Sequence, residues 1–314
     1  MSHARTVWFA LALAALPLIG GCSSSSTSPP PPTSAQALYV GAFTGTPTLA
    51  EIFFPFSSSA TVSTFAPAGV SDVKDLAFDS AGNLYVSTLG NQVFVFAHPV
   101  SSASTPVATI TLPIGGNPLF ITIDSANNLW VSDVNNDLVY EFTGPFSGSS
   151  TPAPAKTLST DLINPEGLAF DSAGNLYVGD ASSGDIEIFA APITNGETPN
   201  ATKLTGATNV RDLAFDQAGN LYAGLFGGTI LRYNAPTAGG GAPSITDSST
   251  GIANGYFLTF DSAGNLYVSD GISTKNVYEF TAVATTFSAT STPAATLALS
   301  GLASTANGIE VGPK

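Results

Sequence analysis

Residues 76–88 read LAFDSAGNLYVST. The phrase returns as LAFDSAGNLYVGD at 168–180 and as LTFDSAGNLYVSD at 258–270. An acidic residue, a Gly and an Asn recur at fixed spacing. The phrase is either a ligand motif used several times or a fold element used several times. Its aromatic residue gives the period: Tyr39, Tyr85, Trp130, Tyr177, Tyr222 and Tyr267, in steps of 46, 45, 47, 45 and 45. A period of that length defines the architecture before any local motif is read.

Each copy contains four strand-like runs. In the third they are GLAFD (167–171), NLYVGD (175–180), DIEIFAAP (185–192) and ATKLTG (201–206). All are short, rich in β-branched or aromatic residues, and bounded by turn formers. No sustained helical period is present. Four short strands per repeat predict an all-β fold, a six-bladed β-propeller with four-stranded blades. The ends supply the closure. ALYVGAF (37–43) is a second-strand motif with no first strand before it. NGIEVGPK (307–314) is a first-strand motif with no second strand after it. Paired, they complete one blade, close the ring and remove its exposed edges.

In FDSAGNL the Asp stands where an Asx-turn needs an acceptor, and the Gly where the hairpin needs positive φ. Asp79, Asp124, Asp171, Asp216 and Asp261 are therefore read as structural turn residues. A calcium loop is the rival, but such loops cluster several oxygen ligands and each copy here offers one carboxylate. Asp133, Asp180 and Asp270, just after the second strand, are read as caps of the following loop.

GLAFDSAGNLYVGDASSGDIEIF (167–189) resembles an NHL-type repeat, and the resemblance extends over all six blades. It implies the propeller and says almost nothing about activity. The senescence-marker/gluconolactonase and virginiamycin B lyase families are similar six-bladed propellers with catalytic sites. Metal-dependent lactonases of the first family hold one divalent cation with Glu, Asn and Asp near the channel. Glu166, Asp180, Asp212 and Asn307 could supply such oxygens to a cation such as calcium, although none sits in a matching motif. The lyases rely on a His in the channel. His98 instead follows the third strand, toward the periphery, and no Ser-His-Asp set can form without a second His in the body of the chain. No catalytic residue is assigned.

A site is expected on the face away from the DSAGN turns, where the copies stop resembling one another. Just before or within the start of each inner strand stand Lys74-Asp75, Leu119-Phe120, Glu166-Gly167, Arg211-Asp212, Tyr256-Phe257 and Asn307-Gly308. The candidate binding residues are Lys74, Asp75, Phe120, Glu166, Arg211, Asp212, Tyr256, Phe257 and Asn307. They mix charged, aromatic and amide groups, as a binding mouth does. Local charge pairing on an exposed rim is the competing reading.

The ends place the chain. Residues 1–22 have a basic start, an apolar run and Ile19-Gly20-Gly21-Cys22, which resembles the bacterial lipobox. The resemblance implies cleavage before Cys22 and lipidation of its thiol, the only Cys. Residues 23–36, Ser- and Pro-rich, read as an extended tether. Residues 37–314 form the propeller. Loss of Arg5 leaves 22 acids against 7 bases, which excludes nucleic acid as a partner. The expected protein is a monomer, anchored to a membrane through Cys22 in the cell envelope. The absence of Asp at position 23 implies the outer membrane in a diderm cell. Its expected role is binding a protein or glycan ligand without catalysis. The alternatives are a metal-dependent lactonase and a structural envelope protein without a ligand.

Overall fold

The computed structural model describes residues 36–313 apart from 47, 114, 201, 237–239, 249, 272 and 273. The side chains at 119, 255 and 256 are also outside the described set. The leader, Cys22 and the tether up to residue 35 lie outside the described residues.

The chain is an all-β, six-bladed propeller. From the innermost strand outward, blade 1 is Ala306–Pro313, Gln36–Ala42, Leu49–Phe53 and Val62–Phe65. Blade 2 is Val73–Phe78, Leu84–Thr88, Gln92–Phe96 and Ala108–Thr111. Blade 3 is Pro118–Ile123, Leu129–Asp133, Leu138–Phe142 and Lys156–Leu158. Blade 4 is Pro165–Phe170, Leu176–Asp180, Asp185–Phe189 and Leu204–Thr205. Blade 5 is Val210–Phe215, Leu221–Leu225, Ile230–Tyr233 and Ile245–Asp247. Blade 6 is Gly255–Phe260, Leu266–Asp270, Asn276–Phe280 and Ala295–Ala298. The four strands of each blade pair antiparallel. A short fifth strand, Gly148–Ser150, crosses from blade 3 and adds parallel to the outer edge of blade 2.

Blade 1 closes the ring as the two chain ends require. Gln36 pairs with Pro313 and Ala42 with Ala306, with a bulge between Val40 and Gly41. The apolar core is divided into six clusters, one for each junction between neighbouring blades. A Phe at the end of the inner strand packs edge-on against the repeat aromatic of the preceding blade. Phe78 meets Tyr39 at 5.0 Å, Phe170 meets Trp130 at 5.6 Å, Phe215 meets Tyr177 at 5.0 Å and Phe260 meets Tyr222 at 5.1 Å. Such pairs contribute roughly 0.5–1.5 kcal/mol each beyond their buried area.

The repeated phrase is a self-contained hairpin. Asp171 Oδ1 accepts the N–H groups of Ala173 and Asn175, both at 2.9 Å, and Oδ2 accepts Asn175 Nδ2 at 2.7 Å. Asp79, Asp124, Asp216 and Asp261 do the same in their own turns. Gly174 sits at φ 84°, and Asn127 takes the same place in blade 3 at φ 62°, as the amide-bearing residue that best tolerates that region. The aromatic six positions after the Asp adds a donor. Trp130 Nε1 reaches Asp124 and the Tyr267 hydroxyl reaches Asp261, both at 3.0 Å. In these blades a buried ring with a donor satisfies the turn carboxylate, while in blade 1 the Tyr39 hydroxyl donates to Glu51 and to Pro313 O. The carboxylate oxygens are spent on donors of their own hairpin.

Packing at the axis is tight. A Cβ on Gly167 would lie 2.6 Å from Asp212 Cα and 2.8 Å from Leu213 N, both backbone of the next blade. Gly167→Ala is expected to lower stability by about 1–3 kcal/mol through overpacking. Gly219→Ala is the control, because a Cβ there meets nothing within 4 Å although its φ is 80°. It should cost about 1 kcal/mol from backbone strain alone. Urea unfolding of both variants checks the difference, and equal losses would refute the steric account.

Candidate functional site

Each inner strand starts at one end of the channel and runs to the turn end. Val73 pairs with Thr88 at the start and Phe78 with Leu84 at the finish. Five residues of extended chain separate Val73 from Phe78, roughly 17 Å. The residues before and at the strand starts therefore surround one mouth, and the DSAGN hairpins ring the other. His98 lies at the turn end, its Cβ near the turn at Gly82.

The structure sorts the candidate ring into layers. Lys74, Glu166, Arg211 and Asn307 form the outer polar layer. Arg211 Nη1 forms an ion pair with Glu166 Oε1 across the junction of blades 4 and 5. Asn164 Nδ2 also donates to Oε1, at 3.4 Å. Burial nevertheless raises the Glu166 carboxyl above its ordinary range, with Arg211 opposing. Among the described residues no carboxylate lies within ion-pairing distance of Lys74. Its ammonium stands 4.2 Å from the centre of the Phe43 ring. Burial lowers its pKa, while Asp72 and Glu166 pull it back up. Asn307 Nδ2 donates to Val73 O at 3.4 Å, which sets the amide beside the Lys74 backbone.

Phe120 and Phe257 are not part of an open mouth. Blades 3 and 6 face each other across the ring, and these two rings stack on the axis at 5.3 Å and 27°. Both are almost fully buried, at 3 % and 4 % exposure. They stopper the channel. Asp75 and Asp212 also leave the surface. Asp75 Oδ2 accepts Ile121 N at 2.9 Å, and Asp212 Oδ2 accepts Leu258 N at 2.8 Å, each from the next blade. They line a channel cavity of about 310 Å³ that extends to Glu310. With few donors to offset burial, Asp212 is pushed up to about 7 and Glu310 up to about 8, and Asp75 rises as well. The Tyr256 side chain lies outside the described set.

A two-fold pattern underlies these layers. Lys74 and Arg211, Asp75 and Asp212, and Phe120 and Phe257 are each separated by 137 residues, half the ring. Gly167 and Gly308 complete an Asp-Phe-Gly order in each half. Gly308, like Gly167, leaves room for the Asp of the next blade: its Cβ would meet Asp75 Cα at 2.8 Å. The symmetry is broken where Glu166 faces Asn307. One half has an acid for its cation and the other has an amide.

Asp133 and Asp180 secure the loops at this end. Asp180 Oδ2 accepts Ile163 N at 2.7 Å, and its other oxygen accepts Ser182 N and Ser183 N, both at 3.1 Å. Asp133 holds Asn117 N at 3.0 Å and Asn136 Nδ2 at 2.8 Å. Asp270 accepts the Thr274 hydroxyl at 3.1 Å. Glu166, Asp180, Asp212 and Asn307 are thus in separate hydrogen-bonding arrangements. Among the described residues no three His, Cys, Asp or Glu side chains are grouped to hold a metal ion.

Sequence reasoning missed the rim. Leu89, Ile163 and Phe226 are 50 %, 58 % and 48 % exposed. Leu89 N bonds Asp72 O at 3.2 Å and Phe226 N bonds Asn209 O at 3.0 Å, which sets both at the mouth end. The Arg211 guanidinium lies 5.5 Å from the Phe226 ring. The other large apolar side chain exposed among the described residues, Val107, sits beside the outer strand of blade 2. The signal was available: Phe43, Leu89 and Phe226 all stand four residues after a repeat aromatic.

No family model matches the chain, and no curated protein matches it in sequence. Many solved structures share the fold. A protein of unknown function from Bacteroides caccae superposes with a TM-score of 0.64 at 13 % identity, over 89 % of this chain and 99 % of that one. A putative 6-phosphogluconolactonase from Bacteroides fragilis gives 0.56 at 16 % identity, over 81 % and 79 %. The WD40 propeller domain of Doa1 gives 0.55 at 12 %, over 86 % and 88 %. At these identities the likeness defines the class, a β-propeller protein, and nothing finer.

Proposed function

We propose that this chain is a lipid-anchored, extracytoplasmic binding propeller of the NHL-like kind that captures a protein or glycan on its mouth face without catalysis. The observation that carries this reading is the rim of Leu89, Ile163 and Phe226, exposed around the polar layer, in front of a channel stoppered by Phe120 and Phe257. Exposed apolar groups beside unsatisfied polar ones suit recognition of a ligand lying across the face. The anchor at Cys22 and the tether behind it would tie the propeller to a membrane surface. A propeller with the three rim residues changed to Ser should fold normally and retain less material from envelope extract than the wild type. Undiminished capture by the triple variant would sink the reading.

A hydrolase reading draws on the neighbour named for a lactonase, and on Lys74 and Arg211 as cations for an anionic substrate. It would need a divalent cation or base at the mouth. Arg211 is engaged by Glu166, and His98 is at the other end, so the binding reading is the better supported.

A further inference from the structure

We propose that the centre of the mouth holds a subsite for a neutral polyhydroxyl ligand, a sugar residue, formed by Lys74, Glu166 and Asn307. The inference rests on the mouth face being the binding surface, and narrows what its centre recognises. Three groups there lack hydrogen-bond partners among the described residues. Glu166 is 1 % exposed, and its Oε2 accepts nothing although Oε1 is held by Arg211. Asn307 is 6 % exposed, and its Oδ1 accepts nothing. The half-buried Lys74 ammonium rests on Phe43 and donates no hydrogen bond to the described residues. A buried polar atom without a partner is costly, so each marks where a ligand group gains most.

The three groups ask for opposite things. Two are acceptors that need a donor, and one is a cation that needs an acceptor. A carboxylate satisfies Lys74 and repels Glu166. An ammonium satisfies Glu166 and repels Lys74. A hydroxyl both donates and accepts, so a ring bearing several of them can serve all three at once. The local charge agrees: Lys74 and Arg211 are balanced by Glu166 and by Asp72, which acts on Lys74. A neutral ligand enters such a site without a Coulombic penalty. Phe43 supplies an apolar flank for the C–H face of a sugar ring.

The broken two-fold sharpens the assignment. In the half with Glu166 the cation is neutralised and held by its acid. In the half with Asn307, Lys74 donates to none of the described residues.

The test is titration of the protein with glucose, galactose and N-acetylglucosamine, and with acetate and ethylammonium as charged probes, followed by ligand-observed NMR. At least one neutral sugar is expected to bind more tightly than either ion. Lys74→Met should weaken it about tenfold, the loss of one charge-assisted hydrogen bond. Asn307→Leu should weaken it as well, which covers the case in which the Lys74 variant misfolds. Tighter binding of acetate or ethylammonium, sugar binding indifferent to both variants, or no sugar binding at all would each overturn the subsite. The rim reading fails separately, through the Leu89, Ile163 and Phe226 variant in the capture assay.

Discussion

Deleting residues 306–314 is expected to abolish cooperative unfolding. The lost strand is the innermost of blade 1, paired from Gln36–Pro313 to Ala42–Ala306. Ala306, Asn307 and Ile309 are buried, and Ala42 and Val40, which pair with Ala306 and Ile309, are at 0 % exposure. Removing the strand strips blade 1 of its axial face and bares an apolar edge, which invites pairing with another chain. It also removes Gly308 from its contact with Asp75 and takes Glu310 out of the channel. Losses at two junctions fall on a fold whose total stability is typically only about 5–15 kcal/mol. A circular permutant is the control. Joining residue 314 to residue 36 and opening the chain between residues 65 and 73 keeps every blade intact, and should unfold as cooperatively as the parent. Thermal unfolding of the two proteins makes the comparison. A truncated chain that melts cooperatively near the wild-type temperature would mean that closure by the C-terminal strand does not hold the ring.

The second large effect is on pH. Stability is expected to fall as pH rises from about 5 to about 8. The sign follows from the channel acids. Burial pushes Asp212 up to about 7 and Glu310 up to about 8 in the folded protein, and Asp75 rises as well. The same side chains titrate near 4 when unfolded. The folded state therefore holds protons that the unfolded state has released, and each such group favours folding below about 4 and loses that contribution as pH passes its folded pKa. Each pH unit of mismatch is worth roughly 1.4 kcal/mol, so a single channel acid contributes on the order of a few kcal/mol. Glu310→Gln isolates one of them. It accepts the Thr259 hydroxyl at 3.2 Å, a hydrogen bond that a glutamine oxygen also accepts. The variant should match the wild type near pH 5 and exceed it near pH 8.5 in urea unfolding. Equal stabilities at both pH values would show that Glu310 is solvated and ionised as in water.

The blades were legible because their chemistry is local. Asp171, Gly174, Asn175 and Tyr177 fall within seven residues, and the hydrogen bonds that join them depend on nothing outside the hairpin. The closure of the ring was legible for a similar reason: the two ends carry complementary halves of one phrase. The mouth was only half legible. Its residues were found as the places where the copies diverge, but their depths were not. Whether Phe120 lines a surface or plugs an axis depends on which residue faces it from the blade opposite, and Phe257 is 137 positions away. The same offset pairs Asp75 with Asp212 and Lys74 with Arg211. Reading the ring in halves as well as in sixths would have exposed this. The unsatisfied oxygens of Glu166 and Asn307 were beyond reach, because they are defined by what fails to come near them.

The central claim is that the six copies agree where they build the ring and disagree where the protein works. Photo-crosslinking groups placed at Leu89, Ile163 and Phe226 at the mouth, and at the exposed Ser80, Ser172 and Ser262 of the repeated turns, test this in the living cell. Discrete adducts from the mouth positions, with none from the turns, are the predicted result. Adducts formed equally from both faces, or chiefly from the turns, would contradict it.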